Sequence, residues 1–376
     1  MTSQQFDVII IGGGLAGLTS AIDLSKNNFK VLLIEKNSFP KHKVCGEYVS
    51  NEVLPYLEYL GFNPFEFGAK RITNFELTTH NNKTIQTELP LGGFGMSRYE
   101  MDFQLYQLAL KQKVTVLKDT VINVIFENDV FSVQTKSGQS FTSKITMGAF
   151  GKRSNLDTTL QRSFITKKSP YLGVKIHMSG NFPENKVALH NFQGGYCGVS
   201  KVENDHINLC YITNYEAFKR YKDIDAFQNE VLFKNLVLKE LFQNSNIEFD
   251  KPLTISQISF ETKNPIENHM IMCGDSAGMI HPLCGNGMAM AIRSAQLASG
   301  LIIDYLQNKI DTRAALERKY VKVWNKTFSL RLKVGHSIAY LFRQDWLAPK
   351  LLVVLRRVPF LIPLIIRMTH GKPIKV

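Results

Sequence analysis

The start of the chain constrains the fold most, because it combines a buried-strand pattern with a glycine-rich turn and a second strand. Residues 6–11 are apolar except for Asp7, a pattern that is typical of a parallel strand buried on both faces. A GGGLAG turn at 12–17 follows, then a helical stretch through Ser25 and an apolar strand, 30–34, that leads into Glu35. This order predicts a parallel α/β sheet whose first helix begins at the turn.

The same turn predicts a dinucleotide site. Gly12 allows the tight turn, Gly14 lets the backbone approach a pyrophosphate, and Gly17 lets the helix pack close to the strand. The free amides and positive dipole end of that helix face the phosphates. Glu35 is placed to accept hydrogen bonds from a ribose diol. The residues predicted to bind at this end are Gly12, Gly14, Leu15, Ala16, Gly17, Glu35 and Lys36.

A second motif near residue 275 predicts which dinucleotide binds. An apolar strand, 269–273, is followed by Gly274 and Asp275, which places a carboxylate at the sheet edge, where it can accept hydrogen bonds from a flexible polyol such as a ribityl chain. The turn at 285–287 opens a long helix whose amides favour the negative charge of a reduced flavin. An NAD enzyme has no ribityl chain to hold, so the two motifs together predict FAD. The residues predicted at this end are Asp275, Gly285, Asn286, Gly287 and Met288.

Taken together, the sequence resembles the geranylgeranyl-reductase-like flavoproteins, which share the fold of the p-hydroxybenzoate-hydroxylase type. The resemblance rests on GGGLAG, the Glu-Lys at 35–36, KVCG at 43–46, Arg98 and GDSAGMIHPLCGNG, and it covers residues 1 to about 310. It implies that Cys45 and Gly46 lie beside the isoalloxazine ring. It also implies that Arg98 contacts the pyrophosphate side of FAD and that Val121 meets the adenine through its backbone.

Two positions depart from the pattern of these families. In the segment 194–201, which resembles the wall of the substrate cavity in the reductases, Gly198 and Ser200 stand where Trp and Phe are expected. Phe150 stands where the hydroxylases carry an Asp that helps to hold FAD and is associated with NAD(P)H use. The first departure argues against a long polyprenyl substrate, and the second weakens the hydroxylase interpretation.

The middle of the chain predicts a second domain. Short alternating runs at 172–178, 186–192 and 206–212 are typical of an antiparallel sheet, and 225–242 predicts a helix packed on it. The predicted fold class is therefore α/β, with a Rossmann-like FAD-binding domain, an antiparallel-sheet substrate domain and a helical C-terminal tail. The predicted boundaries are 1–70, 96–160 and 265–310 for the FAD-binding domain, 71–95 and 160–264 for the substrate domain, and 311–376 for the basic helical region.

Four residues are candidates for the chemistry. His281 precedes Pro282 at a motif position near the flavin, where it could donate a proton to substrate, although a plain loop histidine is an equal interpretation. Glu47 and Tyr196 are further proton-donor candidates. Cys45 is interpreted as a flavin contact that tunes its potential, or as a small buried residue, and not as a nucleophile.

Three functions stay open on the sequence. The first is hydride transfer from reduced FAD to a carbon–carbon double bond of an apolar or conjugated small molecule. The second is an FAD-dependent monooxygenase acting on an aromatic or polyketide-like substrate, and the third is a non-catalytic flavin electron carrier. No separate NAD(P)H fingerprint is present, so NAD(P)H is expected to bind transiently, or a protein carrier donates the electrons.

The C-terminal region carries most of the net charge of +13. Residues 309–376 contain 15 Lys/Arg and 3 Asp/Glu, a net charge of +12. The apolar runs 351–355 and 358–366, flanked by arginines and interrupted by Pro359 and Pro363, suit a surface that dips into lipid headgroups. The alternative is an ordinary helix pair that closes the substrate cavity with a solvated basic face. No nucleic-acid module is recognised, so nucleic acid is not an expected partner.

The number and spacing of the cysteines and the lengths of the apolar runs indicate where in the cell the protein is expected. The five cysteines are odd in number and lack CxxC spacing, which indicates reduced thiols and no metal site. The first apolar run leads straight into the glycine turn and is interpreted as a strand, not a secretory signal. No run reaches the roughly 18–20 apolar residues of a spanning helix. A cytoplasmic protein is expected, with peripheral membrane association as an open alternative.

Overall fold

The strands of the chain fall into two sheets. The computed structural model describes residues 4–79, 81–167, 169–221, 223–256, 258–343, 348–358 and 360–376. The strands are β1 Gln4–Ile11, β2 Val31–Glu35, β3 Tyr48–Ser50, β4 Lys70–Thr78, β5 Thr84–Gly95, β6 Thr115–Lys118, β7 Val121–Glu127, β8 Val130–Thr135, β9 Ser140–Gly148, β10 Tyr171–Gly180, β11 Lys186–Phe192, β12 Gly195–Lys201, β13 Ile207–Asn214, β14 Ser245–Ile247, β15 Leu253–Ser256, β16 Ile266–Glu267 and β17 Met270–Met272.

Helices connect the strands and form the C-terminal region. They are α1 Leu15–Lys26, α2 Leu54–Leu60, α3 Arg98–Lys111, α4 Asn155–Thr159, α5 Tyr215–Phe218, α6 Ile224–Glu230, α7 Leu236–Gln243, α8 Gly287–Leu306, α9 Arg313–Arg343, α10 Ala348–Arg357 and α11 Leu361–Thr369.

The first sheet brings the two predicted motifs to one edge. Its order is β16-β17-β9-β1-β2-β6, and β7 and β8 extend it from β9. Strand β1 is parallel to both β2 and β9, and its last residue, Ile11, is in register with Ile34 and Gly148. The carboxyl ends of these strands therefore meet where α1 begins, and β17 ends at the same edge because Met272 is in register with Gly148. The predicted parallel α/β sheet is confirmed.

The second sheet is antiparallel except for one parallel pair. Its order is β14-β10-β13-β12-β11-β4-β5-β3, β15 pairs with β10, and β11 is parallel to β4. This confirms the antiparallel sheet that the alternating runs predict. Strand β3 pairs with β5 here, although it lies within the segment 1–70 predicted for the FAD-binding domain. The proposed domain boundaries otherwise remain a prediction.

One local prediction needs correction. The helix predicted over 225–242 is interrupted between α6 and α7, because the side chain of Asn235 accepts hydrogen bonds from the amides of Val237 and Leu238 and so begins a new helix. The proline-containing apolar segment forms two short helices, α10 and α11, and Pro363 lies in the first turn of α11, where no intrahelical amide is needed. Pro359 lies outside the described residues.

The C-terminal helices are attached to the rest of the chain. Arg331 of α9 forms an ion pair with Glu52, with 3.2 Å between nitrogen and oxygen, and the amide of Ile374 donates to the carbonyl of Glu52 at 2.8 Å. Leu355 and Ile362 pack against Leu77 of the second sheet. In the part of the chain that the structure describes, no helix is both long enough and apolar enough to cross a bilayer.

Candidate active site

A cavity of about 1620 Å³ lies between the two sheets and the C-terminal helices. Small-molecule pockets usually measure about 300–1,000 Å³, so this one has room for a large cofactor and a second small molecule. One end is formed by the glycine turn and the carboxyl edge of the first sheet, and the other end is apolar. The cavity is therefore the place at which to test whether FAD fits.

The glycine turn is required by backbone packing. Gly12 has a φ of +108°, and a Cβ there would lie 2.4 Å from the carbonyl oxygen of Ala149. A Cβ on Gly17 would lie 1.9 Å from the carbonyl oxygen of Gly12. The turn can therefore hold α1 tight against the sheet only with glycine at these positions. The N-terminus of α1 opens on the cavity through Gly14 and Leu15, as a phosphate site requires.

Glu35 reaches back to the same turn. Its Oε2 accepts from the amide of Gly13 at 2.7 Å, and its Oε1 accepts from the amide of Asn37 at 2.9 Å. The carboxylate at the end of β2 is thus fixed in orientation at the wall of the cavity, where it can accept from a ribose diol.

Arg98 brings a guanidinium to the glycine turn. Its Nε and Nη2 donate to the two oxygens of Asp102 at 2.7 and 2.8 Å, and Lys43 Nζ donates to Asp102 Oδ2 at 2.6 Å. Burial opposes the ionisation of Asp102, but the two cations hold its pKa below the usual value. The Nη2 atom lies 3.6 Å from the position of a Cβ on Gly14. Two cations share one carboxylate, so the net charge beside the turn is positive and suits a pyrophosphate.

A second helix N-terminus opens on the same cavity. Asp275 follows β17 and lines the cavity, and Gly287 is the first residue of α8. A Cβ placed on Gly287 would have no neighbouring atom within 4 Å, so open space lies in front of the helix end. Lys263 supports this loop by donating to the carbonyl of Asp275 at 2.7 Å. Burial lowers the pKa of Lys263 to about 8, although Asp275 acts against this. Nothing in the sequence pattern had pointed to Lys263.

Most residues predicted to bind the cofactor line this one cavity. They are Gly12, Gly14, Leu15, Ala16, Glu35, Lys36, Cys45, Gly46, Arg98, Asp275, Gly285, Gly287 and Met288. Gly17 lies under the turn. Val121 is buried at the start of β7, between Thr120 and Ile122, which line the cavity. The side chain of Asn286 turns away and donates to the carbonyl of Thr369 at 2.8 Å. Two helix N-termini, a ribose acceptor and a cation beside the turn together fit FAD.

Glu47 is held as an ionised acceptor. Its carboxylate is fully enclosed and contacts Lys175 Nζ, His177 Nε2 at 2.8 Å and the amide of Arg98 at 2.7 Å. Burial opposes ionisation, but Lys175 and His177 hold the pKa of Glu47 below its ordinary value. These contacts favour a positioning role for Glu47 over the proposed proton donation. Sequence reasoning missed Lys175 and His177, whose only signal is two polar residues within the apolar strand β10.

Tyr196 is a buried phenol in the wall of the cavity, and its role as a proton donor stays a prediction. It lines the cavity, and among the described residues its buried hydroxyl has no hydrogen-bond partner. Burial raises the pKa of Tyr196 well above the ordinary value, so the phenol stays protonated at neutral pH. Its ring centroid lies 6.0 Å from that of His281.

His281 and Cys45 differ in their surroundings and in their hydrogen bonds. His281 is buried, and its Nδ1 accepts from the amide of Leu283 at 3.3 Å, so this nitrogen serves the local turn. Cys45 lines the cavity beside Gly46, and its carbonyl accepts from Asn208 Nδ2 at 3.2 Å. All five cysteines fall within the described residues and are unpaired thiols.

The far end of the cavity is apolar and is closed by two different parts of the chain. One wall is the second sheet, and the other is formed by the inner faces of the C-terminal helices. Its lining residues include Phe75, Leu77, Leu189, Val199, Ile212, Ile255, Ile338, Leu341, Leu355, Ile362, Ile365 and Ile366. This end suits an apolar molecule that lies next to the end formed by the glycine turn, which we call the cofactor end.

Comparisons with known proteins agree with this site. A model described as FAD dependent oxidoreductase matches residues 7–45, and a model described as squalene epoxidase matches residues 238–338. A protein of Methanosarcina barkeri without an assigned activity is 25% identical, over 89% of this chain and 84% of its own length. Digeranylgeranylglycerophospholipid reductase 3 of Methanosphaera stadtmanae is 24% identical, over 82% of this chain and 80% of its own length.

Other similar proteins carry different reaction names. The flavin-dependent brominase Bmp2 superposes with a TM-score of 0.79 at 18% identity, covering 97% of this chain and 93% of its own, which shows the fold. Further relatives are named as a tryptophan 2-halogenase and an FAD-dependent monooxygenase. The reaction names differ, while the flavin cofactor and the fold agree with the site. The chain is an FAD-dependent oxidoreductase with the α/β flavoprotein fold.

Proposed function

We propose that this oxidoreductase reduces a carbon–carbon double bond of an apolar or conjugated small molecule. The observation that carries the proposal is Tyr196, a protonated phenol without a partner among the described residues, in the wall of a cavity that joins a cofactor end to an apolar end. A reduction of this kind needs an apolar binding space and a proton donor shielded from water. A non-catalytic electron carrier needs neither.

The residues of the cavity have different roles in the proposed reaction. Bound FAD, once reduced, would supply the hydride to one carbon of the double bond. Tyr196 gives its proton to the other carbon, and the resulting phenolate is reprotonated from solvent, so the product gains two hydrogens. The apolar walls orient the substrate and exclude water, and Lys175 and His177 hold Glu47 so that the segment after Gly46 keeps its position. Glu47, His281 and Cys45 then act as positioning or tuning groups in the proposal.

The comparisons support an apolar substrate. The squalene epoxidase model matches the part of the chain that contains Asp275 and α8, and squalene is an apolar polyene. The Methanosphaera stadtmanae relative is named as a reductase of a lipid that carries geranylgeranyl chains. We therefore propose an unsaturated isoprenoid or a similar polyene as the class of substrate.

An anaerobic reaction tests this proposal. The purified holoprotein is reduced with dithionite, freed of excess reductant, and mixed with detergent-dispersed geranylgeraniol or squalene in the absence of oxygen. We expect the oxidised flavin absorbance to return with the polyene and not with detergent alone. A flavin that stays reduced until oxygen is admitted would reject the reductase proposal.

A monooxygenase acting on an aromatic or polyketide-like substrate is the second candidate. It is favoured by the relatives named as halogenase and monooxygenase and by the fold shared with the brominase. Phe150, which lines the cavity where hydroxylases carry an Asp, speaks against it. The same experiment separates the two candidates, because a monooxygenase needs oxygen for substrate turnover.

The electron donor is a separate proposal. We propose NAD(P)H as a transient donor, since basic residues line the cavity at its cofactor end and suit an anionic dinucleotide: Lys36, Lys41, Lys136, Lys152 and Arg153. Anaerobic flavin reduction by NADPH and by NADH is compared with reduction by an acidic ferredoxin. Reduction by the ferredoxin alone would reject NAD(P)H as the donor.

A further inference from the structure

Helix α11 is apolar on two opposite sides. Its inner residues Ile362, Ile365 and Ile366 line the cavity. Its outer side carries Leu364 and Met368, which are 50% and 39% exposed, and Phe360, one turn before Leu364, is 70% exposed. A helix at a protein surface normally has a polar outer face, and a helix that is apolar all round is normally buried. Among the described residues, none buries the outer side of α11, although this side is apolar.

Helix α10, which precedes α11 in the chain, also carries exposed apolar residues. Val353 and Val354 are 39% and 48% exposed, and they are followed by the exposed Arg356 and Arg357. We call Val353, Val354, Phe360, Leu364 and Met368 the outer face. Arg367, also exposed, lies on α11 between Leu364 and Met368 in a position next to this face.

The charged residues of the segment that carries the outer face are all basic. Residues 346–376 contain six Lys/Arg and no Asp/Glu. An acidic protein, a second copy of this chain and an anionic bilayer would all meet some of these residues. A second copy would bring the exposed Arg356, Arg357 and Arg367 close to the same three arginines, which opposes self-association through this face. Apolar residues interleaved with arginines match the boundary between lipid headgroups and acyl chains.

The outer face is firmly attached, so its exposure is a property of the folded chain. The carbonyl of Thr369, at the end of α11, accepts from Asn286 Nδ2 at 2.8 Å, which ties α11 to the loop before α8. The amide of Ile374 donates to the carbonyl of Glu52 at 2.8 Å. Leu355 and Ile362 pack on the second sheet. The same two helices thus separate the apolar end of the cavity from the outside by one helix thickness.

We propose that the outer face binds the surface of an anionic bilayer, and that the apolar substrate enters the cavity from that bilayer. The second part rests on the proposed function, because it names the source of the apolar substrate. The outer face is inserted among the lipid chains, its arginines contact lipid phosphates, and the inner face of α11 receives the apolar chain of the substrate. This placement spares an apolar substrate from crossing water.

Vesicle flotation tests the proposal with the full-length holoprotein. The vesicles are made of phosphatidylcholine alone or of phosphatidylcholine with phosphatidylglycerol. We expect the protein to float with the anionic vesicles, to stay behind with the neutral ones, and to lose part of its binding as salt is raised. Leu364→Glu should weaken the binding about 10-fold or more, because it places a carboxylate among lipid chains and phosphates.

Leu236→Glu is the matched control, since Leu236 is 58% exposed at the start of α7 and lies outside the outer face. It should float like the wild type, and both variants should keep their FAD. The proposal is overturned if the wild type ignores anionic vesicles, if Leu364→Glu still binds them, or if sedimentation shows a dimer that Leu364→Glu dissociates. Flotation involves no turnover, so its failure leaves anaerobic polyene reduction in detergent as an independent test of the proposed function.

Discussion

Lys175 and Glu47, which are 128 residues apart in the chain, form an ion pair in which both side chains are fully enclosed. Lys175 belongs to β10 of the second sheet, and Glu47 follows Cys45 and Gly46 at the cavity wall. The pair therefore connects the sheet that walls the apolar end of the cavity with the segment 45–47, which lines the same cavity.

Removing one member of this ion pair should lower the free energy of unfolding. Lys175→Met leaves the carboxylate of Glu47 buried without its cation, and such changes typically lower the free energy of unfolding by about 3–5 kcal/mol. The double variant Glu47→Gln/Lys175→Met should lose less than Lys175→Met alone. Urea unfolding of the three proteins measures this, with the exposed pair Lys167–Glu261 as a control that should contribute about 0–1 kcal/mol. Equal losses in the single and double variants would contradict the account.

Asp275→Ala should weaken FAD binding. The carboxylate is proposed to accept hydrogen bonds from the ribityl chain, and losing a charged hydrogen bond costs about 1.5–3 kcal/mol, or about 10- to 100-fold in Kd. The ratio of flavin absorbance to protein, measured after gel filtration and in a titration of the apoprotein, gives the result. Asp311→Ala, in an exposed loop, is the control and should keep its FAD. Full cofactor retention by Asp275→Ala would show that the carboxylate of Asp275 does not hold FAD.

Tyr196→Phe should separate catalysis from binding. The phenol is proposed to protonate the substrate, so its removal should slow anaerobic flavin reoxidation by a polyene about 10²- to 10⁴-fold. FAD content and stability should stay the same, because the lost hydroxyl has no partner among the described residues. Tyr211→Phe removes a buried hydroxyl from the adjacent strand β13 and should react at the wild-type rate. If Tyr196→Phe reacts at the wild-type rate, a group other than Tyr196 donates the proton.

His190 should make the fold sensitive to acid. It is buried, its Nδ1 is 2.7 Å from Thr78 Oγ1, and burial lowers its pKa to about 4, with Glu76 acting against this and Lys186 adding to it. The unfolded chain therefore binds a proton more readily than the folded one between about pH 6.5 and pH 4, and stability falls as the pH falls through this range. The loss attributable to His190 is about 2–3 kcal/mol near pH 4.5.

Urea unfolding at about pH 7 and at about pH 4.5 checks this titration. The variant His190→Leu should lose less stability between the two conditions than the wild type does. His269→Leu, an exposed histidine paired with Glu317, is the control and should follow the wild type. An unchanged acid sensitivity in His190→Leu would show that His190 does not titrate in this way.

Local patterns were sufficient to predict the parts of the site that depend on consecutive residues. The strand–turn–helix at Gly12–Gly17 and the helix that begins after Gly285 follow from backbone requirements that a short segment expresses by itself. The structure adds the contacts between distant segments. Lys175 contacts Glu47 only because the fold places β10 next to the segment after Gly46. No local sequence pattern predicts that these two distant segments lie side by side.

The C-terminal helices show the same limit. Composition indicated a basic, apolar tail and left open whether it meets lipid or closes the cavity. The structure shows that Ile362 and Ile366 line the cavity, while Phe360 and Leu364 are exposed. Both interpretations can therefore hold for different sides of one helix. Only the packing of α11 on the second sheet assigns each residue to a side.

The mass of the product tests the central claim most directly. The holoprotein is reduced and given geranylgeraniol for one turnover in a buffer equilibrated with isotopically heavy oxygen, and the extracted isoprenoid is analysed by mass spectrometry. We expect a product that has gained two hydrogens and no heavy oxygen. A product that carries one heavy oxygen atom would contradict this claim and would make the chain a monooxygenase.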